Sequence, residues 1–411
     1  MRAPAAFGAL RERNLSLLVA STTVSALGTG MAQVALAFAV LRIGEASDLG
    51  WVLLAREIPM VVFLLVGGVW ADRVSRKLLL VLGDGAMGCV QAVTALLFLA
   101  HHATVWNVAA LQVAFGAVSA FTRPASTGLI PQAVAAAQLQ HANALVDLGR
   151  STMRIAGPAI GAVIVVAVNP GWALAADAAS FALSALLRLR LRVARGARPP
   201  RTRMLHELRE GWGEFAARSW LWSMVSSFGL FQLTLFPALL VLGPVVAVTR
   251  LGGPGDWGAI LACQAAGSVI GGLAALRFRP ARPLLASALL AVPTAVFLAS
   301  LAAAPPTAVL CAIGFLSSLA LTTCDILWMT TFQRNVPEHL VSRLSAFDWF
   351  GSVAFNPLGY AFVGPLANLI GVANTLSLAA GLNAVVSVTV ALTPGVRGMR
   401  GAAGALAPGR S

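Results

Sequence analysis

Charged residues are scarce: Asp, Glu, Lys and Arg together make up 11% of the 411 residues. Soluble domains carry roughly 25%. The chain is 58% hydrophobic with a mean hydropathy of +0.83, so folding in water would leave a large apolar surface exposed. Lysine is nearly absent, and Lys77 is the only one. The net charge of +14 is therefore carried by arginine. These arginines sit in short loops between apolar runs, with no basic patch interleaved with aromatics, which argues against a nucleic-acid partner. The four cysteines, Cys89, Cys263, Cys311 and Cys324, lie inside apolar runs without metal-ligand spacing, so no metal site is expected and they read as small packing residues. Signatures of zinc hydrolases, serine hydrolases and nucleotide-binding loops are missing as well. The sequence thus offers no catalytic residues, no cofactor and no ATP-driven motor.

What it does hold is a series of long apolar runs, at 15–41, 49–71, 78–100, 104–122, 142–168 and 170–190, then 220–249, 255–276, 284–303, 306–330, 342–369 and 371–393. Runs near 20 residues span a bilayer, and in lipid only a helix satisfies its own backbone polar groups. The expected fold class is an all-α membrane protein of about twelve transmembrane helices. Asn169-Pro170-Gly171, Gly252-Gly253-Pro254-Gly255 and Pro305-Pro306 punctuate three of the loops. The polar, arginine-rich stretch 188–219 divides the chain into an N-terminal bundle (1–187), a cytoplasmic linker and a C-terminal bundle with a short tail (220–411). Part of that linker, Met204 to Trp212, reads as a short amphipathic helix held near anionic lipid by its arginines.

Gly67-Gly68-Val69-Trp70-Ala71-Asp72-Arg73 closes the second run, and Gly271-Gly272-Leu273-Ala274-Ala275-Leu276-Arg277 closes the eighth, 204 residues later. Gly157-Pro158 in the fifth run is matched by Asn356-Pro357 in the eleventh. A six-plus-six repeat is the pattern of transporters that rock two halves about a site near the midplane.

The segment 67–77 is the sharpest motif. Gly67 and Gly68 permit close helix packing. Asp72 can accept hydrogen bonds from a helix N-terminus, where the dipole favours an anion. With Arg73, Arg76 and Lys77 it reads as a gating latch. This loop resembles the signature between the second and third helices of the major facilitator superfamily. Phe121-Thr122-Arg123-Pro124-Ala125, Ile130-Pro131 and Leu139 through Asn143-Ala144-Leu145 resemble its enterobactin-exporter-like branch, the transmembrane secretion effectors. The resemblance covers essentially the whole chain. It implies two six-helix bundles, alternating access and export driven by protons. Gly157-Pro158-Ala159-Ile160-Gly161 is similar to the Gly-Pro motif of antiporters, and Pro158 permits a helix bend. The chain also departs from the family. Gln112 stands four residues before Gly116, where many members carry arginine, and Leu276 replaces Asp72 in the second motif copy. The first span has Gln33 and hydroxyls but no acidic residue.

Ions inside the spans point to function, since a lone charge in hydrocarbon costs several kcal/mol. Counting about 1.5 Å per residue, Glu57 sits about 12 Å from one face and Arg154 about 18 Å from the other. Asp147, Arg150 and Arg154 share a helix face, with Asp147 and Arg150 expected to pair near the inner gate. Asp84, Asp147 and Asp348 lie about a turn or two inside the cytoplasmic boundary and Asp177 somewhat below the outer one; Arg56, Asp84 and Asp177 read as structural, with Asp84 and Asp147 as reserve coupling candidates. Gln112, Gln232 and Gln264, with Asn356, are neutral candidates for a substrate cavity, and Phe231, Phe236 and Trp328 for its walls. A carboxylate can gain and lose a proton, whereas arginine only holds an anion or tunes a neighbour. Glu57 is therefore the expected proton carrier and Arg154 its partner. The composite expectation is a secondary exporter of a drug, siderophore or secondary metabolite, acting as a monomer in the cell membrane. Alternatives are a nutrient importer on the same fold, or a membrane receptor or scaffold without transport.

Orientation follows from the basic residues. With the N-terminus in the cytoplasm, 24 of 29 fall in inside loops, and only Arg42 and Arg250 fall outside. Both termini and 188–219 are then cytoplasmic. A cysteine placed at Ser47 should react with an impermeant thiol reagent in intact cells, and one placed at Arg198 should not. Labelling at position 198 from outside would reverse the orientation.

Overall fold

Prolines and capping side chains start most of the helices. The computed structural model describes residues 12–71, 75–134, 139–193, 212–336, 344, 348, 350–352 and 355–399. Side chains within 64–71 and those of Arg154 and Leu276 also lie outside the description. The chain divides into two units, Met1–Pro200 and Arg201–Ser411.

Unit 1 holds α1 (Arg13–Val40), α2 (Ala46–Ala71), α3 (Arg76–Leu99), α4 (Val105–Ala133), α5 (Leu139–Ala167) and α6 (Pro170–Leu189). Thr104 caps α4: its hydroxyl accepts from the Asn107 amide at 3.3 Å, and the Asn107 side chain accepts from the Thr104 amide at 2.9 Å. Asn169 caps α6 by accepting from Gly171 N at 2.8 Å, with Pro170 in the first helical position. The predicted Asn-Pro-Gly turn is thus a helix start.

Unit 2 holds α7 (Ser219–Arg250), α8 (Pro254–Arg277), α9 (Pro283–Ala303), α10 (Thr307–Asn335), α11 (Asn356–Ile370) and α12 (Val372–Leu392), followed by the short α13 (Pro394–Gly398). Two helices are interrupted where proline removes a donor. In α7 a π turn covers Ala238–Leu242, just ahead of Pro244, which has no N–H for the Leu240 carbonyl. In α9 the helix breaks at Ala291, two residues before Pro293.

Eleven of the described helices are long and apolar enough to cross a membrane. The 26-residue α2 is the predicted second span. No strand occurs among the described residues. The helices α4 and α10 each reach 29 residues, overrunning the apolar runs 104–122 and 306–330. Hydropathy stops at the edge of the hydrocarbon, but the helical hydrogen bonds do not. The outward surfaces are apolar, as lipid requires: Leu96, Val163, Phe362 and Leu369 are exposed. Trp51, Trp106 and Trp172 are exposed at the helix ends of unit 1 opposite Arg76 and Arg188, in the manner of an interfacial belt.

The internal repeat is carried into the packing. In unit 1, α1 packs on α5 and α6, α2 on α4, and α3 on α4 and α6. In unit 2, α7 packs on α11 and α12, α8 on α10, and α9 on α10 and α12. Each contact of the first set has its counterpart six helices later. Glycine permits the closest crossings. A Cβ on Gly116 of α4 would strike the Arg56 carbonyl of α2, and one on Gly267 of α8 would strike the Phe315 carbonyl of α10. We expect Gly116→Val to lower stability by about 1–3 kcal/mol, since backbone must shift to admit the side chain. Thermal unfolding in detergent checks this, and an unchanged melting temperature would show that the α2–α4 contact is looser than described.

Candidate functional site

Two tiers of buried polar groups cross unit 1. The first lies toward the end marked by Arg76 and Arg188. Asp84 of α3 accepts from Arg188 Nη1 at 2.8 Å and from Ser184 Oγ at 2.6 Å, both on α6. Asp84, Ser184 and Arg188 are all buried. Sequence reading had placed Arg188 in the linker. It belongs instead to the last turn of α6, where the helix dipole favours a cation and Asp84 supplies the counter-charge. Arg150 of α5 exerts its charge on Arg188, whereas Asp147 is exposed. Among the described residues no ion pair joins Asp147 to Arg150 as expected: Asp147 is exposed and Arg150 half-buried.

Lys77 of the latch motif donates to the carbonyl oxygens of Leu189 and Leu191, each at 2.7 Å. It caps the end of α6 and fastens the start of α3 to it. Asn14 adds bonds to the carbonyls of Ala133 and Arg192 at 3.2 and 2.8 Å. Arg76 lies in the first turn of α3. The Gly67 and Gly68 side of α2, and Asp72 and Arg73, lie outside the described side chains, so the latch geometry is described at Arg76 and Lys77 alone.

The second tier lies toward the opposite end. Asp177 of α6, 1% exposed, accepts from Gln91 Nε2 of α3 at 2.6 Å. Ser180 Oγ lies 3.4 Å from its other carboxylate oxygen. Arg56 of α2 sits over the Phe115 ring of α4, 4.3 Å from its centroid, and its charge reaches Asp177. Phe115 in turn meets Phe181 edge-on at 5.8 Å. Gln112, one turn from Phe115 and Gly116, is 1% exposed, and neither its Nε2 nor its Oε1 has a hydrogen-bond partner. Arg56 of the neighbouring helix thus sets its guanidinium over Phe115, three residues from Gln112, and its backbone carbonyl against Gly116. Asp177 and Arg56, read from sequence as structural, and Gln91, unnoticed there, converge on this tier.

Glu57 is half-buried on α2, and its Oε2 finds no hydrogen-bond partner. Its expected partner Arg154 lies on α5, but the guanidinium is outside the described side chains. The Gly157-Pro158-Gly161 stretch runs within a continuous α5 and presses on α1. Added Cβ atoms at Gly157 and Gly161 would lie 2.8 Å from Gly30 Cα and 2.7 Å from Met31 Cα. These residues form a close helix crossing.

Unit 2 is more apolar. Gln232 and Gln264 are half-buried. Trp328, expected as a cavity wall, is instead packed in the core at 4% exposure, Phe231 is 6% exposed, and Phe236 is exposed. Trp328 meets Trp220 edge-on and Phe228 and Phe332 at tilted angles, with ring centroids 5.7–5.9 Å apart. A small internal cavity is lined by Met224, Ser227, Phe231, Ser287, Cys324 and Ser387, among others. Asn383 donates to Thr234 at 2.8 Å. Asn356, at the start of α11, has an unpartnered Oδ1. Asp325 of α10 is exposed and lies within reach of the charge of Asp348. It was missed in the sequence, although it is the only acidic residue of the run 306–330. No cluster of three potential metal ligands occurs among the described residues.

The Major Facilitator Superfamily profile matches residues 18–355. The chain belongs to that superfamily. It is 27% identical over 377 residues to the multidrug efflux pump Tap of Mycobacterium tuberculosis, covering 88% of this chain and 89% of Tap. It is 26% identical over 316 residues to the enterobactin exporter EntS of Escherichia coli O1:K1 / APEC, covering 76% and 74%. Its fold is similar to an inward-facing bacterial homolog of the lysosomal transporter Spinster, with a TM-score of 0.73 at 16% identity, covering 94% and 97%. A bacterial homologue of the iron transporter ferroportin gives 0.70 at 16%, covering 93% and 99%. The chain is therefore a multi-pass membrane protein of a transporter family.

The Asp84–Arg188 pair makes a direct test of the first tier. Removing either partner strands a buried charge, at a cost of about 3–5 kcal/mol. Asp84→Asn and Arg188→Met should each lower the melting temperature sharply, and the double variant should recover most of the loss. A double variant as unstable as the worse single one would contradict a purely paired role.

Proposed function

We propose that the protein is a secondary exporter, moving a small amphipathic organic molecule out of the cell in exchange for protons by alternating access. The observation that carries this reading is similarity to efflux proteins along most of the chain: Tap over 88% of it and EntS over 76%. The polar groups set into the spans of unit 1 support it, since ions in hydrocarbon are retained where they serve a pathway. The chain sits in the plasma membrane with both termini cytoplasmic and works as a monomer, without a cofactor. Gly67, Gly68, Asp72, Arg73, Arg76 and Lys77 form the gating latch, with Lys77 also seating α3 against α6. Glu57 and Arg154 are coupling or substrate groups, with Gln232 and Gln264 contributing neutral polar contacts from unit 2.

The test is uptake of a drug and siderophore panel, including ethidium, into inverted vesicles with an imposed pH gradient, acid inside. Wild-type vesicles should accumulate at least one compound, and dissipating the gradient should abolish the accumulation. Asp72→Asn and Arg73→Ala should slow transport while leaving the protein inserted, because a bias of about 1.4 kcal/mol between two access states shifts their ratio tenfold. Uptake with the gradient reversed, or wild-type rates in both latch variants, would count against the export and gating readings respectively.

A further inference from the structure

The second tier of unit 1 has more polar atoms than its protein bonds satisfy. Gln112 is 1% exposed with both amide atoms unpartnered, and Gln91, 3% exposed, leaves its Oε1 unpartnered while its Nε2 serves Asp177. Buried polar groups in native proteins find partners in protein or water. An internal water typically serves about three such groups at once. The residues involved come from four helices. Gln91 stands on α3, Arg56 on α2, Gln112 on α4 and Asp177 on α6. Gln112, Phe115 and Gly116 share one face of α4, the face against which Arg56 packs. Gln91 and Asp177 are joined at 2.6 Å, and Phe115 touches Phe181 one turn from Asp177.

We propose that Asp177, Gln91, Gln112 and Arg56 form a hydrated proton-binding centre buried within unit 1, in which Asp177 takes up and releases the proton. This rests on the proton-coupled exporter reading only for its role in transport, not for its existence. The chemistry is balanced without a co-reactant: hydronium delivered along water held by the Gln112 and Gln91 amides transfers a proton to a carboxylate oxygen of Asp177, and the water is returned. Protonation removes the Asp177 charge from the field of Arg56, which makes Arg56 the cation that responds. Among the described residues the other side chains bonded to Asp177 are neutral, and on α5, which also packs on α6, the side chain of Arg154 lies outside the description. In α1 Asp177 faces Gly28, in α3 Gln91, and on α6 itself Ser180. Arg150 of α5 acts on Arg188 in the other tier. Glu57 is adjacent to Arg56 in sequence, and it is the rival carrier that the test must separate.

The experiment is infrared difference spectroscopy of the purified full chain in lipid nanodiscs, between alkaline and acid pH, together with ethidium transport. A carbonyl component of a protonated carboxyl shielded from water should appear on acidification in wild type and in Glu57→Gln, and that component should be lost in Asp177→Asn while those of the other carboxyls remain. Asp177→Asn should lose gradient-driven ethidium accumulation while keeping downhill ethidium exchange. Gln112→Leu, which keeps the carboxylate and guards against a misfolded Asp177→Asn, should fold as wild type and displace the pH midpoint of the band. A band unchanged in Asp177→Asn, or lost in Glu57→Gln instead, would overturn the proposal, as would an unmoved midpoint in folded Gln112→Leu. An Asp177-dependent band in a protein that transports nothing in response to pH would sustain the proton centre and sink the exporter reading. A functioning exporter with an Asp177-independent band would do the reverse.

Discussion

The fold depends on one constraint: an ion set among membrane helices is costly unless a partner lies within hydrogen-bonding reach. Asp84 and Arg188 meet it most completely, with the guanidinium at 2.8 Å and a serine hydroxyl at 2.6 Å on the other carboxylate oxygen. That pair joins α3 to α6, and Lys77 repeats the connection at the helix ends. The apolar surface of the helices does not distinguish α6 from any other neighbour, because lipid is as apolar as leucine. Polar bonds and small-residue crossings therefore decide which helices pair.

Close crossings carry the second share of that choice. The α1–α5 contact passes through Gly30, Gly157 and Gly161, and the matching α7–α11 contact passes through Gly229 and Gly359. The α2–α4 and α8–α10 contacts use Gly116 and Gly267, on opposite members of the equivalent pairs. The two units thus reach one packing pattern through differently placed glycines, which is what a diverged duplication produces. Unit 1 holds the buried Asp84–Arg188 pair and the Asp177 cluster, whereas unit 2 packs an aromatic cluster around Trp328 and small hydroxyls around its cavity. The buried ion pair thus belongs to the first unit, while unit 2 holds the buried Asp348 within reach of the charge of Asp325.

Much of the fold was legible in the sequence, since bilayer thickness fixes run length and helix caps fix run ends. The equality of α4 and α10 was not, because their final turns leave the hydrocarbon and lose the hydropathy signal. Side-chain partnerships were harder. Arg188 follows a run and precedes many arginines, so its charge looked like linker charge; only the packing of α6 on α3 shows that it faces Asp84. Gln91 carries no charge and gave no signal until Asp177 was found 86 residues away in the chain. Gln112 was noticed as a departure from a family pattern, and the structure buries it three residues from Phe115, the ring that the Arg56 guanidinium covers. Asp325 was visible as a lone acid in an apolar run and was passed over.

The picture that results is a transporter whose first unit separates two tasks along its length. One tier holds the helices together, and the other keeps a carboxylate, a cation and unsatisfied amides in a confined space where a proton changes the balance of charge. Export by proton exchange requires that the two movements be linked in opposite directions. The most direct measurement records lumenal pH and labelled substrate together in proteoliposomes of the purified wild-type chain. The account predicts that substrate moving one way drives protons the other way, and that an imposed pH gradient moves substrate against its concentration. Substrate flux that proceeds at the same rate with no accompanying proton movement, whatever the gradient, would contradict it.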